Sequence, residues 1–165
     1  MAIRLGAERF RMLADLRWEP TAKRVRAEAG GVTVADSRAA VLVWEPRRVV
    51  PGYAMPESDI AAILTPVIPD AGIAEGTETA EGTGDRGGSL PPVLDPRIGF
   101  AVHTSPGQVL DVEVGVEHRR CAAFRSSDPD LAGLVLLDFA AFDWFEEAEP
   151  IISHPHDPFA RSRPG

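Results

Sequence analysis

The stretch KRVRAEAGGVTVAD, which runs from Lys23 to Asp36, decides the fold class of this chain. Between Val25 and Ala29, valine and alanine alternate with arginine and glutamate. A period of two is typical of a strand that buries one face. The pair Gly30-Gly31 supplies the positive backbone angles that a two-residue turn needs, and Val32–Val34 returns as the second strand. The sequence therefore predicts an antiparallel hairpin.

Further short apolar segments, separated by glycine and proline, follow this hairpin along the chain. Val41–Trp44 and Leu134–Leu137 are continuous apolar runs, which suit strands that are covered on both faces. Additional strands are predicted at Ile98–His103, Cys121–Phe124 and Ile151–Ile152, and alternation between positions 110 and 116 predicts that Leu110, Val112, Val114 and Val116 face inward. Seven or more short strands indicate a mainly antiparallel β fold.

Short helices are predicted at the periphery of this β fold. A loosely helical spacing from Leu5 to Trp18 predicts a helix, within an N-terminal extension of residues 1–20 that Pro20 ends. Ile60–Leu64 is predicted to form one or two helical turns with Ser58 as the cap, and Asp138 is expected to cap a turn that carries Phe139.

A length of 165 residues predicts one domain that spans the whole chain. Residues 69–97 are rich in glycine, threonine, glutamate and proline and contain few large apolar residues, which predicts a flexible insertion. Residues 160–165 are expected to be a disordered tail. No stretch reaches the roughly 18 to 20 apolar residues that a membrane helix needs. The sequence therefore predicts a soluble, cytoplasmic protein with no membrane partner.

The charge and the cysteine content limit the possible partners further. The net charge of −8 disfavours binding to nucleic acid, because the phosphate backbone would repel the protein. Cys121 is the single cysteine, so no intrachain disulfide and no cysteine-rich zinc site can form, and the strand around it predicts a buried, inert thiol. His154 and His156 could share a strand face, but two imidazoles do not complete a metal site. We predict neither a metal nor a cofactor.

Several segments together resemble a bacterial family, the domain of unknown function 427, which is sometimes labelled nucleotidyltransferase-like. The resemblance rests on Arg24-Val25-Arg26, Gly30-Gly31, Ala35-Asp36-Ser37-Arg38, Val41–Glu45 and the aromatic, acidic and His-Pro segments from Asp143 to Phe159. It implies a compact two-sheet fold called a β-tent, similar to the methionine sulfoxide reductase B and cereblon thalidomide-binding folds. The label implies little here, since the chain contains no Gly-Ser followed by Asp-x-Asp, and its one Gly-Ser, Gly88-Ser89, lies in the predicted insertion.

The family's distinctive His-Cys-Pro-x-Lys-Gly turn is degenerate in this chain. The corresponding residues, His103 to Gln108, read HTSPGQ, so the histidine, a proline and a glycine remain but the cysteine and the lysine do not. A thiolate nucleophile and a lysine Schiff base are therefore excluded at this turn. Ser105 fits an ordinary turn better than a nucleophile elbow. This degeneracy makes us favour binding over catalysis.

The leading hypothesis is a single-domain member of this family that binds a small polar ligand or a peptide-like group between its two sheets. The candidate aromatic wall consists of Trp44, Tyr53 and Trp144. The candidate polar contacts are Arg38, Glu45, His103 and His154. Each also has a structural interpretation: Arg38 as a turn residue that pairs with Glu45 or Asp36, and Tyr53 as packing whose hydroxyl needs a partner.

Two alternatives stay open. One is an enzyme that uses general acid–base chemistry through His103 or His154 with Glu45 or Glu147. The other is an interaction module or homodimer that is formed through an exposed apolar surface or strand edge.

Overall fold

The computed structural model describes residues 13–48, 50–68 and 102–152. Within these ranges the backbone forms eleven β-strands and three short 3-10 turns. The strands are β1 (Arg17–Pro20), β2 (Val25–Ala29), β3 (Val32–Ser37), β4 (Val41–Trp44), β5 (Gly52–Pro56), β6 (Ile63–Pro66), β7 (Gly107–Val114), β8 (Glu117–Ser126), β9 (Leu134–Leu137), β10 (Asp143–Glu146) and β11 (Glu149–Ile151). The 3-10 turns are Glu57–Asp59, Pro129–Leu131 and Phe139–Ala141.

The strands form two antiparallel sheets. One sheet has seven strands in the order β1-β4-β5-β9-β8-β7-β6, and the other has four in the order β11-β10-β2-β3. Every strand pairing in both sheets is antiparallel. The predicted mainly β, two-sheet antiparallel fold is confirmed.

The predicted hairpin is β2 and β3. Gly30 and Gly31 have φ angles of 56° and 79°, which are the positive values expected for the turn. Val25 pairs with Ser37, and the register shifts between Ala27 and Glu28. Because Val25 and Ala27 are fully buried while Arg26 and Glu28 are half-buried, the period-two pattern sets which face of the small sheet meets the core.

The central strands of the seven-stranded sheet are buried on both faces. Leu42, Tyr53 and Leu137 point inward and pack with residues of the small sheet. Their neighbours along the same strands belong to a second apolar cluster on the outer face, and this cluster consists of Val41, Val43, Ala54, Phe124, Leu131 and Leu136. Successive residues of a strand point to opposite faces, so the continuous apolar runs of β4 and β9 serve two clusters at once.

The space between the sheets is filled by aromatic rings. Tyr53 and Trp144 stack with centroids 5.0 Å apart, and Phe139 stacks on Trp144 at 5.6 Å. The indole nitrogen of Trp144 donates a 2.9 Å hydrogen bond to the carbonyl of Phe139. Asp138 caps the 3-10 turn by accepting a hydrogen bond from the backbone of Ala140, as the sequence predicted.

Several local predictions were wrong. Ile60–Leu64 is not helical: a 3-10 turn over Glu57–Asp59 is followed by β6, and Ser58 does not cap the turn. Val116 is 98% exposed, because Gly115 begins the turn of the β7–β8 hairpin and ends the alternation one residue earlier. Arg17 and Trp18 lie in β1, where pairing with β4 outweighs a weak helical pattern.

The cysteine is also placed differently from its prediction. Cys121 is exposed and has a φ of 53°, at a point where the register of β7 and β8 shifts. The bulge turns the residue out of the alternation that predicted burial.

Other predictions fall outside the described residues. These are the body of the N-terminal helix over residues 1–12, the insertion at 69–97, the beginning of the Ile98–His103 strand and the tail at 160–165. His103 itself is described and lies outside any strand. In the part of the chain that the structure describes, no helix has the length and apolar character needed to cross a membrane.

Candidate functional site

The candidate site lies where β4 ends, on the outer face of the large sheet. Glu45 directly follows β4 and is only 6% exposed. One carboxylate oxygen, Oε1, accepts hydrogen bonds from the backbone of Thr104 at 3.2 Å, and from the backbone and hydroxyl of Ser105 at 3.2 and 2.6 Å. The other oxygen, Oε2, lies 2.9 Å from Nδ1 of His103. Glu45 therefore ties the segment 103–105 to the end of β4.

The carboxyl of Glu45 is ionised at neutral pH. Burial opposes the charge, but hydrogen bonds from His103 and Ser105 outweigh burial and lower the pKa of Glu45 below its ordinary value. Both oxygens of this buried carboxylate are therefore used as acceptors.

His103 is held by its ring as well as by Glu45. The imidazole stacks on Phe124 of β8 with centroids 3.8 Å apart and planes 7° apart. Its side chain remains 15% exposed. Since Nδ1 faces a carboxylate, it carries the proton in the neutral ring, and Nε2 is then the acceptor. In the described residues no protein group hydrogen-bonds to Nε2.

Glu45 and His103 line a cavity of about 40 Å³. The other walls come from the β4, β5 and β9 strands and from the segments beside them, including Val43, Arg48 and Leu136. Burial lowers the pKa of Arg48, while Glu45 acts in the opposite direction. The Arg48 guanidinium donates to the carbonyl of Val102. The cavity lining thus combines apolar residues with the charged residues Glu45, Arg48 and Asp138 and with His103.

Two of the predicted wall residues are core residues. Tyr53 and Trp144 are 0% and 2% exposed and fill the space between the sheets. The hydroxyl of Tyr53 donates a 2.6 Å hydrogen bond to Glu146, which supplies the partner that burial demands. Burial and the Glu146 carboxylate both raise the pKa of Tyr53. Trp44 is half-buried and packs against the inner cluster. The predicted cleft between the sheets is therefore occupied by side chains.

Arg38 does not reach the Glu45–His103 pair. It is exposed in the turn before β4, and Glu45 follows the far end of that strand, which spans about 10 Å. Asp36 pairs with Arg24 rather than Arg38, through a 2.7 Å hydrogen bond and a second contact to Nη2, and the pKa of Asp36 is lowered by this pairing. His154 lies outside the described residues.

Glu147 is also a structural residue. Its carboxylate accepts a 2.8 Å hydrogen bond from the backbone of Arg24, and its own backbone donates one to the carbonyl of Arg24. It therefore pins the β10–β11 turn, where its φ is 52°, and does not contact His103. Among the described residues no group of three or more potential metal ligands comes together.

Sequence reasoning missed three residues of the site. Arg48 carries no local signal beyond its charge, and Phe124 is one of several apolar residues in a strand. Ser105 was interpreted as a turn residue; its hydroxyl contacts the carboxylate of Glu45 and not His103. Only the fold reveals these contacts, because Arg48 meets Val102 across 54 positions and Ser105 meets Glu45 across 60.

Comparisons with known proteins agree with the family suggested by the sequence. No curated protein and no solved structure matches the chain significantly. The family match includes β1 to β6, and hence Glu45, but it ends before His103. Residues 17–70 match the model of the family described as Domain of unknown function (DUF427), which confirms the predicted resemblance over that segment.

Proposed function

We propose that this protein binds a small polar ligand in the cavity bounded by Glu45, His103 and Arg48. The observation that carries the proposal is the 2.9 Å contact between the buried Glu45 carboxylate and Nδ1 of His103, which fixes the ring at the wall of a cavity. A buried carboxylate is costly unless it is fully hydrogen-bonded, so its placement here needs the turn that carries His103.

The roles of the two residues differ. Glu45 is a positioning residue, because both of its oxygens already accept hydrogen bonds from the protein. His103 is the contact residue, since Nε2 of the neutral ring offers an acceptor that Glu45 orients. The complementary ligand group is an N–H or O–H donor, as in an amide or a hydroxyl.

The volume limits what the cavity can enclose. A water molecule needs roughly 10 to 15 Å³ of such space, so about 40 Å³ holds a group of only a few heavy atoms. The ligand would therefore insert a polar end group and leave the rest outside. Arg48 lines the cavity together with the carboxylates of Glu45 and Asp138, so the lining favours an end group with a neutral carbonyl oxygen over a carboxylate.

A substitution can distinguish the roles of the two ring nitrogens of His103. His103→Asn places an amide N–H near the position of Nδ1, which preserves the donor to Glu45, and removes Nε2. The matched control is His118→Asn, because His118 lies in β8 with its side chain 48% exposed and outside the cavity. The probes are acetamide, N-methylacetamide and glycolate, each titrated into the three proteins.

We expect at least one probe to raise the melting temperature of the wild-type protein and of His118→Asn in a saturable way, because a ligand that binds only the folded state stabilises it. His103→Asn should lose most of this shift. Equal shifts in all three proteins, or none with any probe, would contradict the proposal.

A second candidate function follows from the same pair. A carboxylate that holds Nδ1 of a histidine leaves Nε2 oriented as a general base, as in hydrolases. Ser105 is not the nucleophile in such a scheme, because its hydroxyl bonds to Glu45 and not to His103. The base would instead activate a water molecule or a substrate hydroxyl.

Hydrolysis of an activated ester, p-nitrophenyl acetate, tests this second function. The rate should disappear in His103→Asn and persist in His118→Asn. A rate equal to that of free imidazole would leave binding without catalysis as the function.

A further inference from the structure

A second site lies on the small sheet, where β2 and β10 pair. The antiparallel register places Asp143 opposite Glu28 and Phe145 opposite Arg26. Trp144 and Ala27 point into the core, so these four neighbours share the outer face of the sheet. Glu28, Asp143 and Phe145 line a groove of about 440 Å³ together with Phe139, Pro150 and Ile152. This volume is within the range of small-molecule sites.

The charges in the groove are unbalanced. Like charges directly opposite each other on neighbouring strands destabilise a sheet, and Glu28 and Asp143 form such a pair. Nε of Arg26 lies 2.9 Å from a carboxylate oxygen of Glu28 and compensates that charge without a hydrogen bond. Asp143 is exposed and has no ion pair or side-chain hydrogen bond within the described ranges. Two carboxylates and one guanidinium leave one net negative charge.

The aromatic walls of the groove are complementary to a cation. Trp144 also lines the groove, but the faces of its ring are covered by Tyr53 and Phe139. The half-buried rings of Phe139 and Phe145 offer the available aromatic surface. The guanidinium of Arg26 already lies 4.7 Å from the centroid of Phe145, which is cation–π geometry.

We propose that this groove binds a small organic monocation, of the quaternary ammonium or guanidinium class. The cation would lie beside the carboxylate of Asp143 and against the rings of Phe139 and Phe145, and its charge would compensate that of Asp143. Phe139 is the residue shared with the cavity at Glu45. Apart from Phe139 the two sites have different side chains, and the proposal does not depend on the function proposed above.

The test is a titration followed by two-dimensional NMR of the amide and indole N–H groups in the full chain. The probes are choline and its uncharged carbon isostere, dimethylbutanol, at constant ionic strength. Asp143→Asn is the informative variant, because the residue is exposed and the change preserves its shape. Asp130→Asn is the matched control, since Asp130 is also exposed, changes the net charge equally and lies outside the groove.

We expect choline to shift the signals of Glu28, Asp143, Phe145 and the Trp144 indole in a saturable way. Dimethylbutanol and the Asp143→Asn variant should each bind about two- to fivefold more weakly, the range that one exposed cation–π or ion-pair contact gives. Asp130→Asn should bind like the wild-type protein.

Three results would overturn the proposal. They are the absence of saturable shifts at about 50 mM choline, where even a weak site of this kind would fill; equal binding of choline and dimethylbutanol, which would indicate an apolar groove; and unchanged binding by Asp143→Asn.

Discussion

The hydroxyl of Tyr53, in the seven-stranded sheet, donates a 2.6 Å hydrogen bond to the carboxylate of Glu146, in the four-stranded sheet. Glu146 also accepts an ion pair from Lys23. The contact therefore joins the two sheets through a charged acceptor, at a place where the two aromatic rings of Tyr53 and Trp144 already stack. Tyr53 therefore joins the two sheets both through its ring stacking and through its hydrogen bond.

The first prediction concerns this hydrogen bond. Tyr53→Phe preserves the ring and its stacking but removes the donor, and we expect the free energy of unfolding to fall by about 1.5 to 3 kcal/mol, as for hydrogen bonds to charged groups. Urea denaturation measures the change. In the Glu146→Gln background the same substitution should cost less, and an equal cost in both backgrounds would show that the contact contributes nothing.

The second prediction is a loss of stability at alkaline pH. The pKa of Tyr53 is raised by burial and by Glu146, so the folded protein holds the phenol proton more tightly than the unfolded chain does. The resulting stability is fully present below the unfolded pKa of about 10 and is lost as the pH rises above it. Denaturation curves between pH about 8 and about 11 should show the decline, and Tyr53→Phe should reduce it.

Tyr53 is the single tyrosine of the sequence, so the absorbance of its phenolate reports on this residue alone. Ionisation should begin only when the protein unfolds. A phenolate spectrum near pH 10 in a protein that is still folded would contradict the raised pKa.

The third prediction concerns the carboxylate at the cavity. The pKa of Glu45 is lowered, so its contribution to stability is present above the unfolded pKa of about 4.3 and is lost as the pH falls through the lower folded value. In Glu45→Gln, the amide N–H must point either at Nδ1–H of His103 or at the donors of Ser105, so that two donors oppose each other. We expect a loss of about 1 to 3 kcal/mol at neutral pH.

Thermal denaturation from neutral pH to about pH 3 tests this third prediction. The wild-type protein should lose its advantage over Glu45→Gln in the acid range. A difference between the two proteins that stays constant with pH would mean that the charge of Glu45 is irrelevant.

The fourth prediction links a glycine to the site. A Cβ at Gly107 would lie 2.5 Å from the carbonyl oxygen of Arg125 and would overlap the ring of Phe124, on which His103 stacks. Gly107→Ala should therefore cost about 1 to 3 kcal/mol of stability, the usual effect of overpacking. It should also weaken ligand binding at the cavity, because Phe124 must move.

Gly52→Ala is the control for stability, since a Cβ there would meet Leu136 at 3.9 Å, an ordinary contact. Circular dichroism on heating compares the two variants. If both lose the same stability, the close approach at Gly107 is not the cause.

The fold was predictable where local signals agree with packing. The Gly30-Gly31 turn predicted the β2–β3 hairpin, and the apolar runs predicted β4 and β9. These predictions were possible because turn type and periodicity depend on neighbouring residues. Prediction failed where pairing partners decide the outcome. Ile63 and Leu64 look helical in isolation, but they form β6 because β7 offers an edge.

The site was predictable only as a set of residue types. Glu45 and His103 were both named, but their contact spans 58 positions and depends on the stack of His103 on Phe124. Arg38 and Tyr53 were named as well. Arg38 lies before β4, at the opposite end of that strand from Glu45, and Tyr53 is buried between the sheets. Sequence spacing alone cannot distinguish these destinations.

Because β4 packs against an apolar cluster on each of its two faces, this strand does not tolerate a change in length. Leu42 packs between the sheets, whereas Val41 and Val43 pack on the outer face and Glu45 follows within two residues. A deletion of one residue would exchange the two faces, send Val43 toward Tyr53 and turn the Glu45 carboxylate away from His103. Point substitutions in β4 can be conservative, but a single-codon insertion or deletion there would abolish the architecture and the cavity together.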